Sequence, residues 1–260
     1  MPDVQSPSFR GFTGSLVDGV DHVYVPMADA KAAFAVLAEQ LQLPVLWPFM
    51  SFGEFSSGGV SVGSIKLEII EPTTAAPWCM SQEPPQIQGI AFRPARHIDE
   101  HYLADVDARS IARTEPALFE RDGKLAWTNV YFSDFISQTA GAFVCDYYLP
   151  ESRDLDRRRR VLEECGGGRL GVLDASELVV STRDTEAARR RWQRLFGPGQ
   201  PAEGLTWRPP IGPAITLMEG DDERVAHLSL TVRSVETAHR VWSQVAQHQL
   251  ERFPLRFVAD

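Results

Sequence analysis

The strongest constraint on the fold is an internal repeat, in which a short alternating strand, a polar turn and a helix follow one another. Strand periodicity changes to helical periodicity in the same order in each copy. A repeated order of this kind indicates that the chain is built from copies of one supersecondary unit. Three copies are clear: "DHVYVPMADAKAAFAVLAEQLQLP" from residue 21, "SELVVSTRDTEAARRRWQRLFGP" from 176 and "AHLSLTVRSVETAHRVWSQVAQH" from 226. A weaker copy, "QGIAFRPARHIDEHYLADVD", begins at residue 88.

The text after each helix predicts how complete each unit is. After the first helix, "VLWPFMSFGEFSSGGVSVGSIKLEII" indicates one strand, a Gly/Ser turn and one or two further strands, which gives a βαβββ unit. The second unit continues in the same order, the third is abbreviated, and the fourth ends before its last strands. We therefore expect an α+β protein, with paired units one and two in residues 18–150 and units three and four in residues 169–260.

Histidine and acidic side chains fall on the polar face of these predicted strands. In "DHVYVPM" the alternation places His22 with Tyr24, and in "AHLSLTV" it separates His227 from the apolar positions. In "IKLEII" Glu68 points away from its two apolar neighbours. If the apolar face packs under the helices, these positions share a face that can line a cavity. A buried carboxylate is costly unless it is paired or binds a metal, so Glu68 is a candidate ligand.

Three segments together, "VDHVYVPMADA", "SIKLEIIEP" and "VAHLSLTV", resemble the vicinal oxygen chelate superfamily, which includes glyoxalases, extradiol dioxygenases and bleomycin resistance proteins. The resemblance implies that βαβββ units pair and curl their mixed sheets into half-barrels, with the helices outside. It also implies a divalent metal, whether Fe, Mn, Zn or Ni, held by residues of the first and last strands of a unit. Such a protein would be a lyase, an isomerase or a dioxygenase acting on a small substrate with vicinal oxygens.

Two ligand sets are open, because the units can pair in two ways. Aligned on the repeat, His22 matches Glu177 and His227, whereas Glu68 matches Asp146. If the first unit pairs with the last, as in some four-unit glyoxalases, the metal ligands are His22, Glu68 and His227, which is the set we favour. If the units pair in sequence, His22 and Glu68 meet Asp146, and His227 meets Glu177.

Other side chains are candidates around that metal. Glu54, in the predicted turn of "SFGEFSSGG", is the candidate catalytic base, and the alternative reading is a solvent-exposed hairpin acid. Tyr24, Trp47, Phe49 and Phe52 are candidate substrate-binding walls of the cavity. For Trp47, Phe49 and Phe52 the alternative is plain core packing.

The same fold allows other functions, because a fold does not fix an activity. The alternative to a metal-dependent enzyme is a metal-independent protein that binds or sequesters a small molecule, as in the bleomycin-resistance branch. A third hypothesis is a degenerate structural or regulatory unit, which is favoured if aromatic side chains close the cavity.

Composition restricts the partners. The net charge of −9 argues against nucleic acid, and no apolar run approaches the roughly 20 residues that span a bilayer. The N-terminal text has no secretory signal, and the three cysteines lack a CxxC spacing, which is typical of reduced thiols. The basic run "RDLDRRRR" is interpreted as a solvated linker or helix end. We expect a cytoplasmic protein with a small-molecule substrate and no nucleic acid or membrane partner, with homodimerisation left open.

Overall fold

The computed structural model describes residues 14–53, 55–72, 84–133, 135–136, 141–149, 155–197, 204–246, 250 and 252–260. The first two units comprise β1 (Val17–Pro26), α1 (Ala30–Ala35), β2 (Val45–Ser51), β3 (Phe55–Ser61), β4 (Lys66–Pro72), β5 (Gly89–Pro94), α2 (Glu100–Ala108), β6 (Ala117–Arg121), β7 (Lys124–Phe132) and β8 (Gly141–Tyr147). The rest comprises α3 (Leu155–Glu164), β9 (Val172–Thr182), α4 (Thr185–Phe196), β10 (Thr206–Trp207), β11 (Ala214–Glu219), β12 (Arg224–Val232), α5 (Val235–Val245) and β13 (Leu255–Val258).

These strands form two mixed sheets, and the units pair in sequence. The first sheet has eight strands in the order β2-β3-β4-β1-β5-β8-β7-β6, and β1 runs antiparallel to β5 where units one and two meet. The second sheet has five strands in the order β10-β11-β9-β12-β13, and β9 runs antiparallel to β12 where units three and four meet. The favoured pairing of the first unit with the last is therefore wrong.

One face of each sheet packs under the helices, as the strand alternation requires. In the first sheet, Val23, Leu67 and Ile90 are fully buried in the main apolar core. This core continues into the other half of the chain, because the Trp192 ring of α4 contacts the Phe92 ring of β5 with 6.0 Å between centroids. The expected α+β architecture, with repeated units, curled mixed sheets and outer helices, is confirmed.

The helices of units three and four begin at the capping residues that the sequence offers. Asp184 accepts a hydrogen bond from the Ala187 N–H at 2.8 Å, and Ser234 accepts one from the Thr237 N–H at 3.2 Å. The N-cap of α1 is Asp29, which makes no side-chain cap bond, and the helix continues as a π-helical turn, Val36–Gln40. Within the described ranges, no helix is long and apolar enough to cross a bilayer.

The basic run between the two halves is a helix with a buried arginine. Helix α3 includes Arg158, which is only 3% exposed, so the reading of this run as a solvated linker or helix end fails at that residue. The Arg158 carbonyl accepts a hydrogen bond from the Ser61 hydroxyl at 3.2 Å, which fastens α3 to the end of β3. Tertiary packing thus places one charge of a polar run inside the protein.

Candidate functional site

The face of the first sheet that points away from the helices carries a second cluster of apolar side chains. We call it the concave face, and its buried members are Tyr24, Ile70, Ala91, Phe143 and Cys145, bordered by Phe55, Trp127, Tyr131 and Tyr147. The Phe143 ring lies at the centre, 5.0 Å from the stacked Tyr131 ring and 6.2 Å from the Tyr24 ring. Aromatic rings at these separations pack favourably, so the floor of this face is a preformed aromatic surface.

Contact between distant strands closes one side of the concave face. Strand β2 is one edge of the sheet and β7 lies next to the other edge, yet the Phe52 ring after β2 meets the Trp127 ring of β7 edge-on with 6.0 Å between centroids. Phe119 stacks on the other side of this wall at 5.0 Å from Trp127, and Phe52 stacks on Phe55 at 5.4 Å. These rings are half-buried, whereas the floor is buried, so the rim of the curled sheet remains accessible.

His22 and Glu68 meet on the concave face. Tyr24 lies opposite Glu68 in the parallel pairing of β1 with β4, and the alternation places His22 on the same side as Tyr24. The Nε2 atom of His22 lies 3.5 Å from a carboxylate oxygen of Glu68, and its ring meets the Phe143 ring edge-on at 5.6 Å. The prediction that these two residues share one face of the sheet describes their geometry correctly.

Asp21 holds the other side of the His22 ring. The register of β1 with β5 shifts between Val20 and His22, and such a bulge turns one extra side chain toward a site. The Asp21 carboxylate accepts a hydrogen bond from His22 Nδ1 at 2.8 Å and one from Lys66 Nζ at 2.6 Å. Since a carboxylate only accepts, Nδ1 carries the hydrogen and Nε2 faces Glu68.

Two buried cations surround Asp21. Lys66 and Arg158 are 5% and 3% exposed, and Arg158 Nη1 lies 3.4 Å from the Asp21 carboxylate. Burial alone would raise the pKa of the Asp21 carboxyl, but Lys66, His22 and Arg158 outweigh it and hold that pKa well below its usual range. Burial lowers the pKa of the Lys66 ammonium, against the opposing effect of Asp21. The Lys66 ammonium also lies 4.1 Å from the centre of the Tyr147 ring.

Asn129 supplies a further polar group on the same face. It lies between Trp127 and Tyr131 on one face of β7, and it is 7% exposed. Its Nδ2 donates to the Tyr131 hydroxyl at 3.2 Å, while its Oδ1 is buried and no residue in the described part of the chain donates to it. A buried carboxamide with one end unpaired favours a ligand that completes the bond.

Comparison with known proteins places the fold. No family model matches the chain, and no curated protein matches it. Solved structures do match. A hypothetical protein from Staphylococcus aureus shares 8% identity at a TM-score of 0.57, over 82% of this chain and 90% of that one. A mutant of 4-hydroxymandelate synthase from Streptomyces coelicolor shares 13% identity at a TM-score of 0.57, over 90% and 76%. An extradiol ring-cleaving dioxygenase from B. fuscum shares 11% at 0.54, over 91% and 63%.

The chain has the vicinal oxygen chelate fold. Identities this low establish the fold alone, so the activity has to be inferred from the site.

The described residues do not provide a complete ligand set for the metal that the vicinal oxygen chelate fold implies. On the concave face, His22 and Glu68 are two donors that meet. The side chain of unit two that faces His22 is the Phe143 ring, which cannot bind a metal. Gly89 of unit two also lies on this side, and a Cβ atom there would overlap the Tyr24 ring. In the part of the chain that the structure describes, no group of three or more His, Cys, Asp or Glu is placed to hold a metal. Catalytic zinc and non-haem iron sites use three protein ligands, so such a site does not fit these residues.

The predicted cavity walls divide between the two faces of the sheet. Tyr24 and Phe52 lie on the concave face, as described above. The Trp47 ring lies over Gly59, which pairs with Glu68 where β3 and β4 run side by side. The Nε1 atom of Trp47 donates a hydrogen bond to the Ser57 hydroxyl at 3.2 Å. Phe49 instead packs on the Phe34 ring of α1 at 6.0 Å, in the helix-side core, so its predicted place in the cavity wall is wrong. Glu54, the predicted base, lies outside the described residues.

His227 and Glu177 lie in the second sheet, so the predicted set of His22, Glu68 and His227 does not form. Ser229 of β12 pairs with Glu177 of β9, which puts His227 and Glu177 on one face of that sheet. The Glu177 carboxylate accepts a hydrogen bond from the Thr216 hydroxyl at 2.6 Å. Burial, and then Arg256, lower the pKa of His227, which favours the neutral imidazole.

Asp146 faces away from the concave side, contrary to its alignment with Glu68. Phe143 and Cys145 of β8 belong to the concave face, so the residue between Cys145 and Tyr147 points toward the helices. There the Asp146 carboxylate accepts hydrogen bonds from His97 Nδ1 and from the Ile98 N–H, both at 2.9 Å. Asp146 therefore anchors the loop before α2 and is not a ligand beside His22.

Sequence reasoning missed Asp21, Asn129 and Arg158. Asp21 directly precedes His22 and would normally point to the opposite face, and only the bulge in β1 overturns that rule. Asn129 lies in the run "AWTNVYF", where strand periodicity places it between Trp127 and Tyr131 on one face, and a carboxamide between two aromatic side chains was a readable signal. Arg158 carries no such signal, because its burial depends on where α3 docks.

Proposed function

We propose that this chain is a metal-independent small-molecule-binding protein, and that its ligand is a planar molecule held on the concave face of the first sheet. The observation that carries the proposal is the continuous aromatic surface around Phe143, Trp127 and Tyr131, with polar groups at its floor. Ligand sites in proteins are typically apolar with a few placed polar groups that fix orientation.

The polar groups specify what the ligand must offer. The Asn129 Oδ1 atom, which no described residue pairs, suits a hydroxyl or amide hydrogen of a ligand. The Asp21–His22–Glu68 chain can exchange a proton with a ligand hydroxyl, because His22 Nε2 and Glu68 lie only 3.5 Å apart. A small phenol or an aromatic amide combines both features with a flat apolar body.

The experiment is a titration of chelator-treated protein with phenol, catechol, benzamide and cyclohexanecarboxamide, followed by protein NMR. We expect saturable binding of the planar probes and weaker binding of the cyclohexane probe. Asn129→Leu should weaken benzamide binding by about 5- to 150-fold, which corresponds to ~1–3 kcal/mol for an unpaired buried group. Leu118→Gln, at an exposed position of β6, is the matched control and should bind as the parent does. Equal binding of planar and non-planar probes, or no effect of Asn129→Leu, would argue against the proposal.

A metal-dependent lyase, isomerase or dioxygenase is the second candidate, and the spacing of His22 and Glu68 is the observation that favours it. Two ligands at about 2.1 Å from one ion would lie ~3.0–3.5 Å apart, close to the 3.5 Å between Nε2 and the Glu68 oxygen. The bond from Nδ1 to Asp21 also matches the carboxylate support that metal-binding histidines usually have. A divalent metal such as Fe, Mn, Zn or Ni would supply Lewis acidity to a substrate with vicinal oxygens. Metal analysis separates the two candidates.

A further inference from the structure

The guanidinium of Arg158 is buried, and one of its edges is unpaired within the ranges that the structure describes. Its Nη1 atom donates to the main-chain oxygen of Asp21 at 3.2 Å and lies 3.4 Å from the Asp21 carboxylate. Its Nε and Nη2 atoms are buried and have no hydrogen-bond partner among the described residues. The residue is only 3% exposed, so bulk water does not solvate these two N–H groups.

The unpaired edge is the one that grips two oxygens at once. Arg113 uses the same edge on Asp107, with Nε–O and Nη2–O distances of 2.8 and 2.9 Å. Arg189 uses it on Glu186 at 2.8 and 2.7 Å. Planar guanidinium forks match the spacing of carboxylate and phosphate oxygens, and such charge-assisted pairs are among the strongest hydrogen bonds in proteins.

Charge and rigidity favour an anion at this edge. Lys66 and Arg158 are both buried against the single carboxylate of Asp21, which leaves an excess of positive charge next to the fork. The fork is also held in place, because Nη1 is bonded to Asp21 and the backbone of Arg158 accepts from Ser61. A fixed, desolvated donor pair loses little freedom when it binds a complementary acceptor.

We infer that the Nε–Nη2 edge of Arg158 binds a small oxyanion, a carboxylate or a phosphate group, in a buried site between α3 and the first sheet. The inference does not rest on the ligand proposed for the concave face. Helix α3 contacts both β3 of the first sheet and β9 of the second. An oxyanion bound there would therefore stabilise the junction between the two halves of the chain.

The test is the thermal stability of the full chain in sodium phosphate, sodium acetate and sodium chloride at matched ionic strength. With phosphate or acetate at ~100 times its dissociation constant, the melting temperature should rise by about 5 to 10 °C above the chloride value. Whichever anion gives the larger saturable rise identifies the oxyanion class. Arg158→Lys keeps the charge and removes the fork, so it should lose the rise, whereas Arg159→Lys, half-exposed on the same helix, should keep it.

Two results would overturn the inference. One is a parent protein whose melting temperature is the same in all three salts. The other is an Arg158→Lys variant that responds as the parent does. If Arg158→Lys does not fold, NMR of the parent decides the matter, with phosphorus spectra of inorganic phosphate and proton spectra of acetate: saturable line broadening of either anion supports the site, and unchanged lines for both refute it.

Discussion

The Nε2 atom of His22 lies 3.5 Å from the Glu68 carboxylate, while Nδ1 of the same ring is bonded to Asp21 at 2.8 Å. Because the Asp21 carboxylate accepts a hydrogen bond from Nδ1–H, the Nε2 atom of a neutral His22 carries a lone pair. This lone pair points toward the Glu68 carboxylate, which is also only an acceptor. A proton or a cation between Nε2 and Glu68 resolves this mismatch. This geometry allows the concave face either to transfer a proton to or from a ligand or to bind a cation. It is therefore compatible with both the metal-independent binding protein and the metal-dependent enzyme.

Replacing Glu68 with Gln should leave the fold intact and the free energy of unfolding within about 1 kcal/mol of the parent or slightly higher. The amide can donate to His22 Nε2, which removes the mismatch of two acceptors and a nearly buried charge. Urea unfolding measures this, with Glu120→Gln at an exposed position of β6 as the control. A loss of more than about 2 kcal/mol, well beyond ordinary surface changes, would show that Glu68 is a stabilising charge in the isolated chain.

Replacing Asp21 with Asn should destabilise the protein by about 3–5 kcal/mol, since it leaves two buried cations without their counter-charge. Asp21 touches both Lys66 and Arg158, and all three are nearly inaccessible to water. Asp122→Asn, at an almost fully exposed carboxylate, should change the free energy of unfolding little. Chemical denaturation of the two variants beside the parent gives the comparison, and similar losses in both would refute the role of Asp21.

The pKa of Asp21 predicts the direction of the pH dependence. Because the folded-state pKa lies well below its usual value, the unfolded chain binds the proton more readily than the folded one. The stabilisation by Asp21 is thus complete above about pH 4, near the unfolded pKa, and is lost as the pH falls below it. Thermal melts between pH 6 and pH 2 should be steeper in pH for the parent than for Asp21→Asn. Parallel curves would contradict this assignment.

The sequence predicted the repeated unit and the shared face of His22 and Glu68, because strand and helix periods are local properties. It did not predict how units pair, since each first strand has the same pattern and could accept several partners. It also placed Asp146 on the wrong face, because Phe143 and not Asp146 takes the position of Glu68 in unit two: Phe143 pairs with Ala91 as Glu68 pairs with Tyr24. An odd offset along a strand inverts the side of every residue. Asp21 was missed for a related reason, as the bulge beside it breaks strict alternation.

Removing residues 225–260 should make the chain insoluble. Strand β9 would lose its antiparallel partner β12 and expose Leu178 and Val180, which are buried, along with unpaired backbone groups. Deleting residues 252–260 removes the edge strand β13 and the buried Phe253 but keeps the pairing of β9 with β12, so it is the matched control, for which we expect a soluble but less stable protein. A well-folded fragment 1–224 would contradict the role of β12 as the central partner of β9.

The most direct test of the central claim is the metal content of the parent and of His22→Ala, purified without chelator and then dialysed against Fe(II), Mn(II), Zn(II) or Ni(II). His97→Ala, which lies near Asp146 on the other side of the sheet, is the control. If the binding site is metal-independent, we expect only trace metal in all three proteins, with probe binding unchanged by chelator. A stoichiometric metal in the parent and in His97→Ala that is absent from His22→Ala would contradict it and establish the metal-dependent alternative.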